Sequence, residues 1–344
     1  MLTSKQASLK PLLESENGVH LTAYLINRGD LIDLKSQLKT VIDESYEWLN
    51  SAMSAEELKR FLEPIDALLL DARIFEQMKG NIGLFRTIDS FRVLNIPIPV
   101  EQSCQVATSF HIKPLLRWLQ TDREFLLLGI EKNSAHLYLG SLDSFKLVDS
   151  FETLAWLNDW IKKLTKTAKP KLFMAGEKSK IDEFYPYLEY PNTIKTPISS
   201  SFGEHNVSDI CTKIRKLLKE ESKKALEKSL LEFKFAEEGN RTQKNIFQIA
   251  KAVVQGKVHK LIVTDELSIF GTIDKKTGGL ALHPFDLDHE DDCILDDLAQ
   301  MVLSQGGEVV IAKRDEIPKG RPILAILDED GLVLENERYK WREI

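Results

Sequence analysis

The residue types best suited to chemistry gather in the loop Thr196-Pro-Ile-Ser-Ser-Ser-Phe-Gly-Glu-His-Asn-Val-Ser208, where Ser199 to Ser201 stand close to Glu204, His205 and Asp209. A serine nucleophile, a histidine base and a carboxylate to orient it are the components of acyl transfer. The spacing argues against it, because hydrolase serines occupy a Gly-x-Ser-x-Gly elbow and no such frame exists here. A polar turn leading into a helix is the plainer reading. A second run, Asp286, Asp288, Glu290, Asp291 and Asp292, has the alternating carboxylates with which calcium loops collect oxygen ligands. Asp291 stands where such a loop needs glycine, and acids ahead of a helix complement its dipole, which is the simpler account of the run. A hydrolase or nuclease using the 199–209 loop or a metal at 286–292 is therefore the alternative to a binding role.

Other stretches carry weaker signals. Lys171-Leu-Phe-Met-Ala-Gly176 followed by Glu177 has the outline of a phosphate-binding turn, but neither Gly-x-Gly-x-x-Gly nor Gly-x4-Gly-Lys-Ser/Thr is present, and no cofactor is expected. Trp156 and Trp160 fall at helical spacing with Leu157, Ile161 and Leu164, so they read as core anchors rather than a stacking site. From Asp209 towards Glu238 a long helix carries Lys213, Arg215, Lys216, Lys219, Lys223, Lys224 and Lys228. Interleaved Glu220, Glu221, Glu227 and Glu232 favour a solvated, ion-paired face. The excess of basic residues before Glu220 suits tracking of phosphates.

The elements that would position these residues can be read in order. Gly18 to Ile26 alternates as a strand and breaks at Asn27-Arg28-Gly29-Asp30; a helix follows from Leu31, and Ser54-Ala-Glu-Glu57 is a capping box that opens a second, with a kink or restart at Glu63-Pro64. Strands are expected at 81–86 and 91–95, with the prolines of 96–100 at an edge or linker. Ser109-Phe-His-Ile-Lys-Pro-Leu-Leu-Arg-Trp-Leu-Gln120 has the apolar spacing of a short helix and reads as a packed joint. Arg123 to Ile130 and Ser134 to Gly140 form a hairpin, and Phe151 to Thr167 a helix. Helix at 242–255, strand at 256–264, strand at 267–273, helix at 291–304 and strands at 306–312 and 321–327 close the chain as a sheet between helices. Fold class is α/β, with a mixed α+β N-terminal domain, and the natural boundaries fall near residues 120 and 240, giving domains 1–120, 121–240 and 241–344.

Composition narrows the classes. With 344 residues, 43% hydrophobic and 29% charged, the chain is long enough for two or three cores and is not disordered. A net charge of −7 argues against a uniformly basic nucleic-acid binder and leaves room for a local basic face. Cys104, Cys211 and Cys293 form no Cys-x-x-Cys pair, which fits a reducing cytoplasm without zinc or disulfides. No signal-peptide core and no run of about 18 apolar residues is present, so neither export by that route nor a membrane span is expected.

Ser109-Phe-His-Ile-Lys-Pro-Leu-Leu116, the hairpin behind it, and the terminal block from Gly256-Lys-Val through Gln305-Gly-Gly307 to Ala325-Ile-Leu327 resemble the bacterial members of the archaeo-eukaryotic release factor superfamily, relatives of the eukaryotic peptide-chain release factor and of Pelota. The likeness covers nearly the whole chain. It implies a divergent N-terminal domain, a middle domain like the one that bears the peptidyl-transferase loop, and a C-terminal domain like ribosomal L7Ae and L30e. It also implies a ribosome or structured-RNA partner, in rescue, stress or hibernation; a further alternative is a protein-interaction scaffold whose C-terminal domain docks to a protein partner, with RNA irrelevant. Release factors carry Gly-Gly-Gln in the middle domain. Here the Gly-Gly pairs are Gly278-Gly279 and Gly306-Gly307, followed by Leu280 and Glu308, so peptidyl-tRNA hydrolysis is not expected. Against the L7Ae pattern Gly-x-Asn-Glu-x-x-Lys, Lys251 aligns with the lysine, while Asn245, Phe247 and Gln248 replace glycine, asparagine and glutamate. The RNA-binding residues expected are Lys213, Arg215, Lys216 and Lys219, with Lys251 beside them; no catalytic or metal-binding residue is assigned.

Overall fold

The computed structural model describes residues 11–12, 18–71, 73–78, 80–121, 124–131, 134–142, 144–151, 154–164, 170–283 and 291–328. It is a mixed α/β protein whose chain divides into two compact units. One lies within 119–227; the other joins the stretch up to Trp118 with the stretch from Lys228 onward.

The first strand, β1 (His20–Leu25), is buried on both faces. Leu21, Ala23 and Leu25 point into a core made with helices α1 (Leu31–Leu49) and α2 (Ala55–Leu70). Asp30 caps α1 by accepting from the Ile32 amide, and Ser54 with Glu57 closes a reciprocal capping box on α2. After the short α3 (Arg73–Glu76) come β2 (Asn81–Arg86), β3 (Phe91–Ile96) and β4 (Ser103–Ala107), which complete an antiparallel sheet of order β3-β2-β1-β4. The helix does not restart at Glu63-Pro64: α2 runs through Pro64 unbroken. Proline removes the amide that would bond the Arg60 carbonyl. The buried Arg86 guanidinium supplies the missing donor, giving Nη2 to Arg60 O at 3.0 Å and Nε to Phe61 O at 2.8 Å.

Helix α4 (Lys113–Thr121) follows, and beyond Trp118 the chain enters the other unit. There β5 (Phe125–Ile130), β6 (Ala135–Gly140) and β7 (Phe145–Phe151) form an antiparallel meander, and β8 (Lys171–Ala175) adds parallel to β5 for an order β7-β6-β5-β8. Both faces of β5 are covered. Leu126, Leu128 and Ile130 meet α5 (Leu154–Leu164) and α6 (Lys178–Phe184), while Phe125 and Leu127 meet the start of α7 (Val207–Glu238). A strand with water on neither side loses the polar alternation that would otherwise mark it, which is why Phe125-Leu-Leu-Leu-Gly-Ile130 is nearly all apolar.

The last 11 residues of α7 return to the first unit. Next come β9 (Thr242–Gln243), α8 (Ile246–Val254), β10 (Val258–Thr264), β11 (Phe270–Ile273), β12 (Leu280–His283), β13 (Asp292–Cys293), α9 (Ile294–Ser304), β14 (Glu308–Ala312) and β15 (Ile323–Leu327). The order β14-β10-β15-β9 makes one sheet and β12-β11-β13 another. Leu261 and Val263 of β10 face α8 and α9, whereas Lys260 turns to the end of α7, pairing with Glu232 and, at 3.0 Å, with Glu308. In this stretch six expected elements are shorter than the sequence reading; the strands at 256–264, 306–312 and 321–327 each lose their first two residues. The helix at 242–255 begins at Ile246 because Asn245 Oδ1 caps it and residues 242–243 pair with β15. The helix at 291–304 begins at Ile294 because Asp292 and Cys293 pair with β11. The strand at 267–273 starts only at Phe270.

Candidate functional site

The densest polar cluster lies between β1 and α9, where the segment Thr108–Lys113 crosses from β4 into α4. Alternation along β1 sends His20, Thr22 and Tyr24 away from the helix-covered core and towards this segment. His111 N donates to Thr22 Oγ1 at 3.0 Å, Tyr24 OH donates to His111 O at 2.7 Å, and the Phe110 ring packs edge-on against His20 and Phe85. From the other side the N-terminal turn of α9 and the residue before β13's end present carboxylates. Asp292 accepts from the Thr108 and Ser109 amides at 2.8 and 3.0 Å and from the Thr108 hydroxyl. Asp296 Oδ1 accepts from the Ile112 and Lys113 amides, each at 2.8 Å, and its Oδ2 accepts from His111 Nδ1. Ser109 Oγ donates to Asp297 at 2.7 Å, and Gln300 Nε2 to Phe110 O at 2.9 Å. Lys113, with 0% of its surface exposed, donates to Leu267 O at 2.5 Å and to Cys293 Sγ at 3.4 Å.

The charges in this cluster are matched. Burial alone would lower the His111 imidazole, but the charge and hydrogen bond of Asp296 outweigh it and raise it to about 9. Burial alone would raise Asp296, but His111 and Lys113 hold it at about 2. Lys113 is raised despite its burial, by Cys293 and Asp296, and Cys293 is lowered despite its burial, chiefly by Lys113. Burial followed by the charge of Asp292 pushes Asp297 up to about 7, and burial also raises Asp292.

His111, Cys293 and Asp296 bring ligand-type atoms within 4.8 Å of one another, a spacing that could suggest a metal. The Lys113 ammonium, 3.4 Å from the sulfur and 3.8 Å from Asp296 Oδ2, already supplies the positive charge there. A divalent cation beside it would meet direct repulsion. With Lys113 and Asp296 sealed from solvent, a substrate has no route to the group either. The cluster is a fastening between the first and last parts of this unit.

The residues singled out in the sequence are spread over the chain. Lys213, Lys216 and Lys219 project from α7 into solvent, joined there by Lys223 and Lys224; among the described residues none of the five is in an ion pair. Between Lys213 and Lys224 six basic side chains meet two carboxylates, and one of these, Glu221, is held by Lys171 at 2.7 and 2.8 Å. Arg215 is used differently. Its Nε and Nη2 donate to Ser141 O and Ser144 O at 2.8 and 2.9 Å, clamping the turn between β6 and β7. Lys251 is exposed on α8, in the other unit, where its backbone lies against Gly278.

In the 199–209 loop, the Ser199 carbonyl accepts from the Gly176 amide and the Ser199 hydroxyl from the Ser201 amide, at 3.0 and 3.4 Å. Among the described residues His205 bonds to no serine or carboxylate, so no nucleophile and base are brought together there. Of the acidic run, Asp286, Asp288 and Glu290 lie outside the described residues. Asp291 bonds His283 at 2.7 and 2.8 Å, and Asp292 binds the Thr108 segment, so these two carboxylates serve partners more specific than a helix dipole. Trp160 packs against the core between β5 and α5.

Sequence reading missed the cluster around Lys113. The one signal was a lysine at the apolar start of α4, preceded by a strand, β1, whose polar residues alternate with apolar ones on a buried element.

No family model matches the chain, and no curated protein is similar to it in sequence. Among solved structures the chain is similar to the archaeal translation termination factor aRF1, with 13% identity over 95% of this chain and 99% of that one and a TM-score of 0.26. It is also similar to Archaeoglobus fulgidus Pelota, with 17% identity over 73% and 82% and a TM-score of 0.32. A third is S. cerevisiae Dom34, a translation termination-like factor involved in RNA quality control pathways and interacting with Hbs1, with 14% identity over 69% and 72% and a TM-score of 0.41.

Proposed function

We propose that the chain is a release-factor-like protein that binds the ribosome or structured RNA without hydrolysing peptidyl-tRNA, acting in the cytoplasm in rescue, stress or hibernation. The observation that carries this reading is the outward face of α7, where Lys213, Lys216, Lys219, Lys223 and Lys224 stand exposed and without ion-pair partners among the described residues. Lysines that are already paired have little charge left for phosphate; these five are available. The resemblance of the 109–116 stretch and the terminal block to release-factor relatives supports the translation setting, and the lack of Gly-Gly-Gln supports binding without hydrolysis. Among the described residues no helix is long and apolar enough to cross a membrane. The L7Ae-like character of the C-terminal region and a protein partner there belong to the same reading, with Lys251 as its accessible cation.

The test is co-sedimentation with ribosomes over a salt series, comparing the native chain with Lys213→Glu/Lys216→Glu/Lys219→Glu. Arg215 is left intact because reversing it would unclamp the β6–β7 turn. Three lost phosphate contacts should flatten the slope of log affinity against log salt by about two. Thermal stability should stay within about 0.5 kcal/mol of native, as for exposed substitutions generally. Sedimentation indistinguishable from the native chain would remove this face, and with it the reading.

A further inference from the structure

Beside the lysine face, a row of rings crosses the sheet, from half-buried His136 and Phe202 through Tyr138, buried against the start of α7, to Phe145 at the sheet edge. His136 and Phe202 stack with centroids 5.7 Å apart, Phe202 and Tyr138 follow at 6.1 Å, and Tyr138 and Phe145 at 6.3 Å. The Arg215 guanidinium carbon closes the row, 5.9 Å from the Phe145 centroid. Phe202 is seated over Gly129, where any Cβ would fall about 2.0 Å from the ring, so the row is built into the sheet. Phe145 lies at its open end. It starts β7, which among the described residues is the edge strand of its sheet, and keeps 37% of its surface exposed, with Leu147 two residues along the strand at 48%. Arg215 Nη1 has no protein partner among the described residues, and the two carbonyls held by Nε and Nη2 fix the guanidinium in place.

We infer that this end of the row, Phe145 with Arg215 and Lys219, is a platform for unpaired nucleotides of RNA, with a base stacked on Phe145 and the flanking phosphates on Arg215 and the α7 lysines. The inference rests on the reading of α7 as an RNA-binding face and specifies which form of RNA it takes. An exposed aromatic face attracts a base only where that base is free of its own stack, which a duplex does not offer. Arg215 lies one turn from Lys219 on α7, so the guanidinium fixed at the ring is followed along the helix by an exposed ammonium.

The experiment compares binding of a fluorescein-labelled RNA of about twelve nucleotides, lacking self-complementarity and within the usual site sizes, with binding of its duplex, by anisotropy on the full chain. The native chain should prefer the single strand by about tenfold, the lower part of what one stacked base contributes. Phe145→Leu, which keeps an apolar side chain on an exposed edge, should lose that preference while duplex binding is unchanged, and Phe145→Trp should retain it. If the native chain binds both forms equally, or if Phe145→Leu keeps the preference, the platform is overturned while the lysine face stands. If the native chain binds neither form, and ribosomes are not bound either, the lysine reading falls and the platform with it.

Discussion

A lysine with no exposed surface survives at position 113 because a carbonyl, a sulfur and a carboxylate surround its ammonium. Removing one partner of such a buried group leaves the other uncompensated, so Lys113→Met should cost about 3–5 kcal/mol in chemical denaturation. A loss below about 1 kcal/mol would mean that the cluster is not charged as described. The same residues set a dependence on pH. Asp297 is raised from 3.8 to about 7 in the fold, so the stability it contributes is complete below the unfolded value and is lost as pH rises through about 7. His111, raised from 6.5 to about 9, loses its contribution as pH rises through about 9, and Asp296, held at about 2, loses its own only as pH falls through that value. Denaturation midpoints should therefore fall between about pH 5 and pH 8 in the native chain. Asp297→Asn should remove the part of that fall below neutrality and keep the part due to His111; an unchanged profile would exclude Asp297 as its source. The sequence does not reveal these pairings, because Asp296 and His111 stand 185 residues apart and neither belongs to a local motif. The run of acids near 291 is visible, but its partners are not.

At the scale of elements, local signals translate well wherever the partners are local. The Ser54–Glu57 box, the hairpin of β5 and β6 and the apolar stripe of α1 all depend on neighbours within a few residues or across one turn. Elements shorten where a distant strand competes. Residues 242–243 read as the start of a helix and yet are recruited by β15, and Asp292 and Cys293 are recruited by β11. Helix α2 departs in the opposite direction: Pro64 is an expected break, and the helix continues because Arg86, on another strand, takes over the freed Arg60 carbonyl. Arg86→Met should accordingly cost about 2–4 kcal/mol, by stranding two buried acceptors. In a Pro64→Ala background the residue 64 amide can satisfy Arg60, and the cost of Arg86→Met should drop by about 1 kcal/mol in a double-mutant cycle. Equal costs in both backgrounds would disprove the compensation. The basic character of α7 was legible as composition; the diversion of Arg215 to the β6–β7 turn was not, since it requires knowing that the turn lies within reach.

For the whole molecule, the boundaries read near 120 and 240 follow shifts of pattern along the chain, whereas compactness joins residues before 119 to those after 227. Each stretch keeps an apolar core of its own, one of β1 with α1 and α2 and the other of β10 with α8 and α9, and what ties them is the polar cluster around Lys113 and Asp296, which apolar periodicity does not report. A fragment ending near Trp118 should be poorly folded, because Thr108 to Lys113 would lose every carboxylate that satisfies their amides; circular dichroism and gel filtration would show this, and a cooperative monomer would refute it. The fastening also has a consequence for how the protein is made. Synthesis proceeds at roughly 5–20 residues per second, so Lys113 leaves the exit tunnel roughly 10–40 s before Asp296 does. Throughout that interval the polar face of β1 and the segment that seals it wait without their counterpart, while residues 119–227 emerge and are free to fold. Nascent chains of this protein are thus exposed to chaperone capture at their first third rather than at their last.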